Sequence, residues 1–473
     1  MTFPRIHRPL VAAVATAAAL AVSAEPPSLA ATYKARADQL IGAALVDDEG
    51  YAHLAYLCDH IGKRLSGSEP LERAIAWAEA LMRNEGLANV TLQPVTVPKW
   101  VRGAESGAIV APVAKPLHLL GLGMSVGTPP GGITAEVVVA TSLEHLQQLG
   151  RAKVEGKIVV FDAPYEGYGK SVRVRGAGPV QAAALGAVGV LVRSITPLAV
   201  QLPHTGTTSV STTGPNVPAA AITAEDATLL SRLTAQGAPV RVHVEMGAHR
   251  EPDVPSANVM GEIVGSTNPE EIVVLGGHID SWDVGQGAHD DGSGIVAAFE
   301  ALHLINKLGL KPRRTIRVVF WVNEENGVAG GRAYRAALGD KVGNHVAAIE
   351  MDGGAEAPVG YGFGASKPGQ PVLPEEQRSF ELLRDIATLL KPVGADTIKP
   401  GGEGTDIAPL MRAGVPGLGE ETTMAHYFDW HHTEADTLDK VDPVEFRKNI
   451  ASLAVMAYVL ADMPERLKMG KVE

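Results

Sequence analysis

The chain has 473 residues, 45% of them apolar and 20% charged, which suits two or three folded domains and argues against wholesale disorder. Its formal net charge of −12 argues against nucleic acid as a partner, because phosphate binding needs a basic face. The single cysteine, Cys58, excludes an intramolecular disulfide and reads as a small buried hydrophobe.

In chain order, Arg5 and Arg8 precede an apolar run over 10–22, and Val22-Ser23-Ala24 closes it with small residues. This pattern predicts a signal peptide over 1–24, cleaved after Ala24, and a secreted or periplasmic mature chain. The run is shorter than the ~20 residues that span a bilayer, and no later segment qualifies, so no stable membrane insertion is expected. Helices are predicted over 33–60 and 70–87. In the second, Leu71, Ile75, Ala78 and Met82 form one apolar face and Gly86 supplies the stop. A strand is expected over 89–97.

From about Pro116 the composition shifts to Gly, Ala, Val and Thr, with short strand-like runs at 136–140, 157–161 and 188–192 and a helical pattern at 180–185. Few residues here form a catalytic set. An accessory domain inserted at 116–250 is expected, with 25–115 and 251–473 forming the main domain. In the latter, buried-type strands are predicted at 272–275, 316–322 and 345–349. Ile295, Phe299, Leu302 and Ile305 mark a helix between the first two, and 362–375 reads as a long surface loop. This alternation predicts an α/β fold with a mixed, mostly parallel sheet flanked by helices.

Chemistry-bearing residues follow the strands. His278 follows the first, Glu324 and Glu325 the second and Asp352 the third, while Asp290 lies just before the helix and His432 comes from a later loop. In open α/β sheets such residues converge at the carboxyl ends of the strands. Two imidazoles and three of these carboxylates, with no cysteine, suit divalent cations, zinc above all, with coordination positions left open. One carboxylate between two metals would hold them ~3.5–4 Å apart. Asp280 could accept the second imidazole N–H of His278. Read singly, each piece has a plainer explanation: a hydrogen-bonded core histidine, a solvated Glu-Glu loop, or an Asp-Asp-Gly helix cap.

The segments Gly276-Gly277-His278-Ile279-Asp280-Ser281 and Gly287-Ala288-His289-Asp290-Asp291-Gly292-Ser293-Gly294 resemble the metal-binding signature of the M28 zinc peptidases. Asn323-Glu324-Glu325-Asn326-Gly327, Glu350-Met351-Asp352 and His432-Thr433-Glu434-Ala435-Asp436-Thr437 resemble that family's later elements, in the same order. Arg64-Leu65-Ser66-Gly67-Ser68 and the run from Ser281 to Gly287 are similar to its carboxypeptidase Q-like subgroup. The resemblance implies a zinc exopeptidase fold whose insertion is a protease-associated α+β domain.

It further implies two Zn2+ ions, one on His278 and Asp352, one on Glu325 and His432, with Asp290 bridging. Glu324 is implied as the general base that takes a proton from the attacking water and returns it to the leaving amine. A cis peptide between Asp290 and Asp291 is implied as well. His431 stands where some relatives carry an oxyanion-stabilising Tyr, and its N–H could do that work. Asp406, in a Gly-rich loop, could pair with a substrate amine. The expected activity is hydrolysis of short peptides or dipeptides from a chain end. The alternatives are an M28 aminopeptidase and, since some relatives act as receptors, a noncatalytic binding protein. The resemblance alone suggests a homodimer.

Overall fold

The computed structural model describes residues 1–2, 28–402 and 404–472. The predicted signal peptide, Met1 and Thr2 apart, lies outside the described residues.

After its N-terminal helices the chain forms β1 (Ala88–Val101). It then runs through β2 (Glu105–Ala111), β3 (Lys115–Leu117), β4 (Leu119–Gly121), β5 (Ile133–Ala140), β6 (Ile158–Phe161), β7 (Gly189–Arg193), β8 (Ala219–Ile222) and β9 (Arg241–Met246). It returns at β10 (His249–Ile263) and continues through β11 (Asn268–His278), β12 (Arg314–Trp321), β13 (His345–Glu350), β14 (Pro358–Phe363), β15 (Thr397–Pro400) and β16 (Gly417–Thr422). Among the described residues these strands make two eight-stranded sheets. The first has the order β1-β10-β12-β11-β13-β16-β14-β15 and the second β3-β2-β9-β5-β6-β7-β8-β4.

In the first sheet β12, β11, β13 and β16 are mutually parallel, whereas β1, β10 and β14 run antiparallel to their neighbours nearer the centre. The sheet is mixed, as the alternation of strands and helices predicts. The unbroken apolar run of β11 has a direct cause. Val273 and Leu275 face a core shared with the helices Ser293–Lys307 and Pro443–Asp462, while Val274 faces a second core with Trp321, Tyr334 and Leu410. A strand buried on both faces cannot alternate apolar with polar. Pro443–Asp462 is anchored by Asp442, whose carboxylate accepts the N–H groups of Val444 and Glu445, and by Pro443 in its first turn.

Three local expectations change. The helix predicted over 33–60 is divided into Leu29–Ala44, Glu49–Tyr56 and a π turn at Leu57–Ile61. It breaks where the Asp47 carboxylate accepts the Glu49 N–H and competes with the helical ladder. The pattern at 180–185 is only the end of the helix Tyr168–Ala184, whose first turns are masked in sequence by glycines and Pro179. The second sheet begins at β2, ahead of the boundary expected near Pro116. Cys58 is buried, which pushes its thiol up to about 12.

Candidate metal centre

Because β12, β11 and β13 are parallel and in register, their carboxyl ends lie side by side. His278 is the last residue of β11, Glu324 and Glu325 follow β12, and Asp352 lies two residues past β13. Asp290 sits in the turn Ala288–Gly292 that leads into the helix Ser293–Lys307, and the Asp290–Asp291 peptide is cis. His432 arrives from the loop after the short helix Tyr427–Trp430.

Asp290 stands at the middle of the cluster. Its Oδ1 is 3.2 Å from His278 Nε2, and its Oδ2 is 3.1 Å from His432 Nε2. His278 Nε2 is also 3.5 Å from Asp352 Oδ1, and His432 Nε2 is 3.1 Å from Glu325 Oε2. Asp352 is the most open of the five, with its side chain 25% exposed.

Two donors held at ~2.1 Å from a tetrahedral ion stand roughly 3.4 Å apart. The observed separations bracket that value. His278 Nε2, Asp290 Oδ2 and Glu325 Oε1 are buried and make no hydrogen bond among the described residues, a costly state unless something else satisfies them. Donor type, spacing and orphaned atoms therefore fit zinc. The sets His278/Asp290/Asp352 and Asp290/His431/His432 each place ligand atoms within 4.8 Å of one another, and Asp290 belongs to both.

Electrostatics agree. Burial alone would lower His278 and His432, yet the carboxylates around them hold both well above the usual imidazole range. Burial, reinforced by Asp290, pushes Glu325 up to about 8. Burial, with Asp352 and Asp290 adding to it, pushes Glu324 up to about 7. So many acids in one desolvated place call for positive charge, which protons supply on the bare chain and divalent ions would supply instead.

The supporting residues differ in part from expectation. His278 Nδ1 lies 2.9 Å from the main-chain carbonyl of Asp280, whereas the Asp280 carboxylate is 3.9 Å away. That carboxylate turns instead to the Glu324 loop, accepting the Glu324 N–H at 3.1 Å and the Ser66 hydroxyl at 3.1 Å. Asp280 thus positions the candidate base rather than the imidazole. His431 lies against two of the candidate ligands. Its ring stacks on His432 with centroids 3.6 Å apart, and its Nε2 is 3.5 Å from Asp290 Oδ2. Burial and the adjacent His432 hold it well below the usual imidazole range. Asp406 is only 1% exposed and both its carboxylate oxygens lack hydrogen bonds. Its N–H and that of Ile407 donate to the Glu350 carboxylate. Burial, then Glu350 and Glu324, push Asp406 well above the usual range, so it is a buried acid beneath the site.

Three residues outside the predicted site set complete the frame. Asp436 accepts the N–H of His289 at 2.8 Å and of Asp290 at 3.2 Å, fixing the central carboxylate. Asp291 accepts the N–H of His278 and of Gly294, both at 3.0 Å. A Cβ at Gly277 or Gly294 would overlap its carboxylate, which explains both glycines. Arg64, fully buried, donates to the carbonyls of Gly62, Ile279, Gln286 and Gly287 and gathers the loop between His278 and Asp290. All three lie inside the quoted motifs, which was the available signal. Arg64→Met is expected to destabilise the chain by about 3 kcal/mol or more, since it leaves several buried carbonyls unpaired. Chemical denaturation of the metal-free protein measures this.

Fold and site together define a metal-dependent hydrolase. Residues 258–457 match peptidase family M28. The chain is 42% identical to carboxypeptidase Q of Xenopus laevis over 92% of its own length and 91% of that protein's. A solved M28 peptidase precursor from Shewanella amazonensis superposes with a TM-score of 0.88 at 33% identity, covering 94% of this chain and 100% of that one. A probable lipoprotein aminopeptidase of Mycobacterium tuberculosis is 25% identical over 86% of this chain and 83% of its own. The chain belongs to peptidase family M28 and is a zinc metallopeptidase of the carboxypeptidase Q-like kind, acting on peptides. No helix among the described residues is long and apolar enough to cross a membrane.

Proposed function

We propose that the chain is an exported two-zinc exopeptidase that hydrolyses short peptides, dipeptides included, by removing a residue at a free carboxyl end. The observation that carries this reading is the Asp290 carboxylate, whose two oxygens face two separate histidines. His278 and Asp352 would hold one ion, Glu325 and His432 the other, and Asp290 both. The apolar run at 10–22 supports export, and the second sheet, inserted between β1 and β10, is read as a protease-associated domain.

Zinc, when bound, supplies Lewis-acid polarisation of the scissile carbonyl and stabilises the charge that develops on its oxygen. The remaining work belongs to the chain. The Asp280 carboxylate holds the Glu324 main chain, and the carboxylate of Glu324 takes a proton from the attacking water and returns it to the leaving amine. Because Glu324 is not among the ligands, its carboxylate stays free to take that proton and return it. His431, beside Asp290 and His432, would donate its ring N–H toward the developing oxyanion.

Aminopeptidase action is the second reading, favoured by the name of the mycobacterial relative. A panel of dipeptides and tripeptides blocked at one end or the other separates the two. N-blocked peptides with a free carboxylate should be cleaved, and C-amidated peptides should not; chelator should abolish cleavage. The opposite pattern would establish the aminopeptidase instead.

A further inference from the structure

We infer that the second sheet supplies the outer shell of one half of the metal centre, so that the Glu325/His432 ion is held only while that sheet is docked. This rests on the two-zinc reading above.

The loop between β7 and β8 leaves the second sheet, and among the described residues its hydrogen bonds to the five candidate ligands reach Glu325 and His432. The Thr205 N–H donates to the His432 carbonyl at 3.0 Å, and the His432 ring Nδ1 faces the Thr205 carbonyl at 3.3 Å. The Thr207 hydroxyl donates to the Glu325 carbonyl at 2.8 Å. A metal-bound imidazole is oriented by the partner of its other nitrogen, and here that nitrogen faces the Thr205 carbonyl of the inserted sheet, with Arg175 Nη1 3.5 Å away. His278 has no such dependence, since its Nδ1 meets the carbonyl of Asp280 on its own loop.

Arg175 clamps the loop. It is buried, its Nη1 donates to the Thr205 carbonyl at 3.0 Å and its Nη2 to the Tyr168 hydroxyl at 2.9 Å. Its own carbonyl accepts the Thr208 hydroxyl at 3.0 Å. The guanidinium lies so close over Gly206 that a Cβ there would overlap it. The Thr205 hydroxyl also donates to the Gly121 carbonyl at the end of β4, at 2.7 Å. The loop is therefore built into the second sheet before it reaches the ligands. Arg175 and Thr207 are positioning residues for the Glu325/His432 half, and the two halves of the centre differ in what holds them.

The test is zinc retention by the full chain, native and with Arg175→Met or, separately, Thr207→Val, dialysed against graded chelator and assayed for zinc per chain. The native protein should hold two ions. Each variant should keep one with native affinity and release the other about 10–100-fold more readily, the usual effect of losing an outer-shell partner. Arg175→Lys, which keeps a donor for the Thr205 carbonyl, should recover part of the loss. Thermal unfolding in chelator checks that the metal-free variants fold, and Thr207→Val changes shape least. Two ions retained with native affinity in both variants, or released together, would overturn the inference. A native chain that takes up fewer than two ions would overturn the two-zinc reading and this inference with it.

Discussion

Glu324→Gln is expected to retain zinc as the native protein does while hydrolysing peptide on the order of 10²–10⁴-fold more slowly, the range associated with loss of a positioned general base. The reason is a division of labour between adjacent residues. Glu325 lies 3.1 Å from the His432 ring and its Oε1 has no partner among the described residues, which fits the ligand role proposed for it. Glu324 is less buried, and its main chain is pinned by Asp280. An amide of the same shape keeps that N–H bond but cannot accept the proton of water. Zinc per chain and kcat, measured on one preparation, decide the matter. Native turnover in this variant would falsify the assignment of Glu324 as the base.

Asp290→Ala should release both ions and abolish turnover. Apparent zinc binding energies of ~10–16 kcal/mol shared among about four ligands give roughly 3 kcal/mol per ligand, or about a hundredfold in affinity. Asp290 faces both histidines, so in the two-zinc reading its removal would weaken two ions at once, and it takes a carboxylate oxygen away from each of His278 and His432. His432→Ala, by contrast, should weaken one ion. Equal zinc loss in the two variants would count against Asp290 as the shared ligand. Acidification should mimic Asp290→Ala, because protonated carboxylates and imidazoles no longer bind metal.

Much of the site was legible because parallel strands buried on both faces advertise themselves as apolar runs. His278, Glu324, Glu325 and Asp352 each stand just at or past the end of such a run, and the ends of parallel strands coincide. The geometry now brings Asp290 and His432 to the same place. Asp280 was harder to read. Its spacing from His278 suggested a carboxylate–imidazole pair, yet the turn after β11 points the carboxylate at the Glu324 N–H and leaves its main-chain carbonyl to the ring. Nothing in a two-residue spacing distinguishes a side-chain oxygen from a main-chain one. The start of the second sheet was obscured for a similar reason: β2 and β3 are short, partly exposed and interrupted by Gly and Pro, so their composition changes too gradually to mark an edge.

What the amino-acid sequence determined by itself is the mixed α/β sheet and a candidate donor cluster at its strand ends, because hydrophobic periodicity and residue type are local properties that survive without knowledge of distant partners; the class of chemistry came from the resemblance of its motifs to the M28 peptidases. The tertiary structure alone decided which oxygen of Asp290 faces which histidine, that His431 stacks on His432, and that Thr205 and Thr207 reach His432 and Glu325. Those last contacts join residues more than a hundred positions apart across two sheets. Their geometry is set by how the sheets dock, and no periodicity within either sheet encodes it.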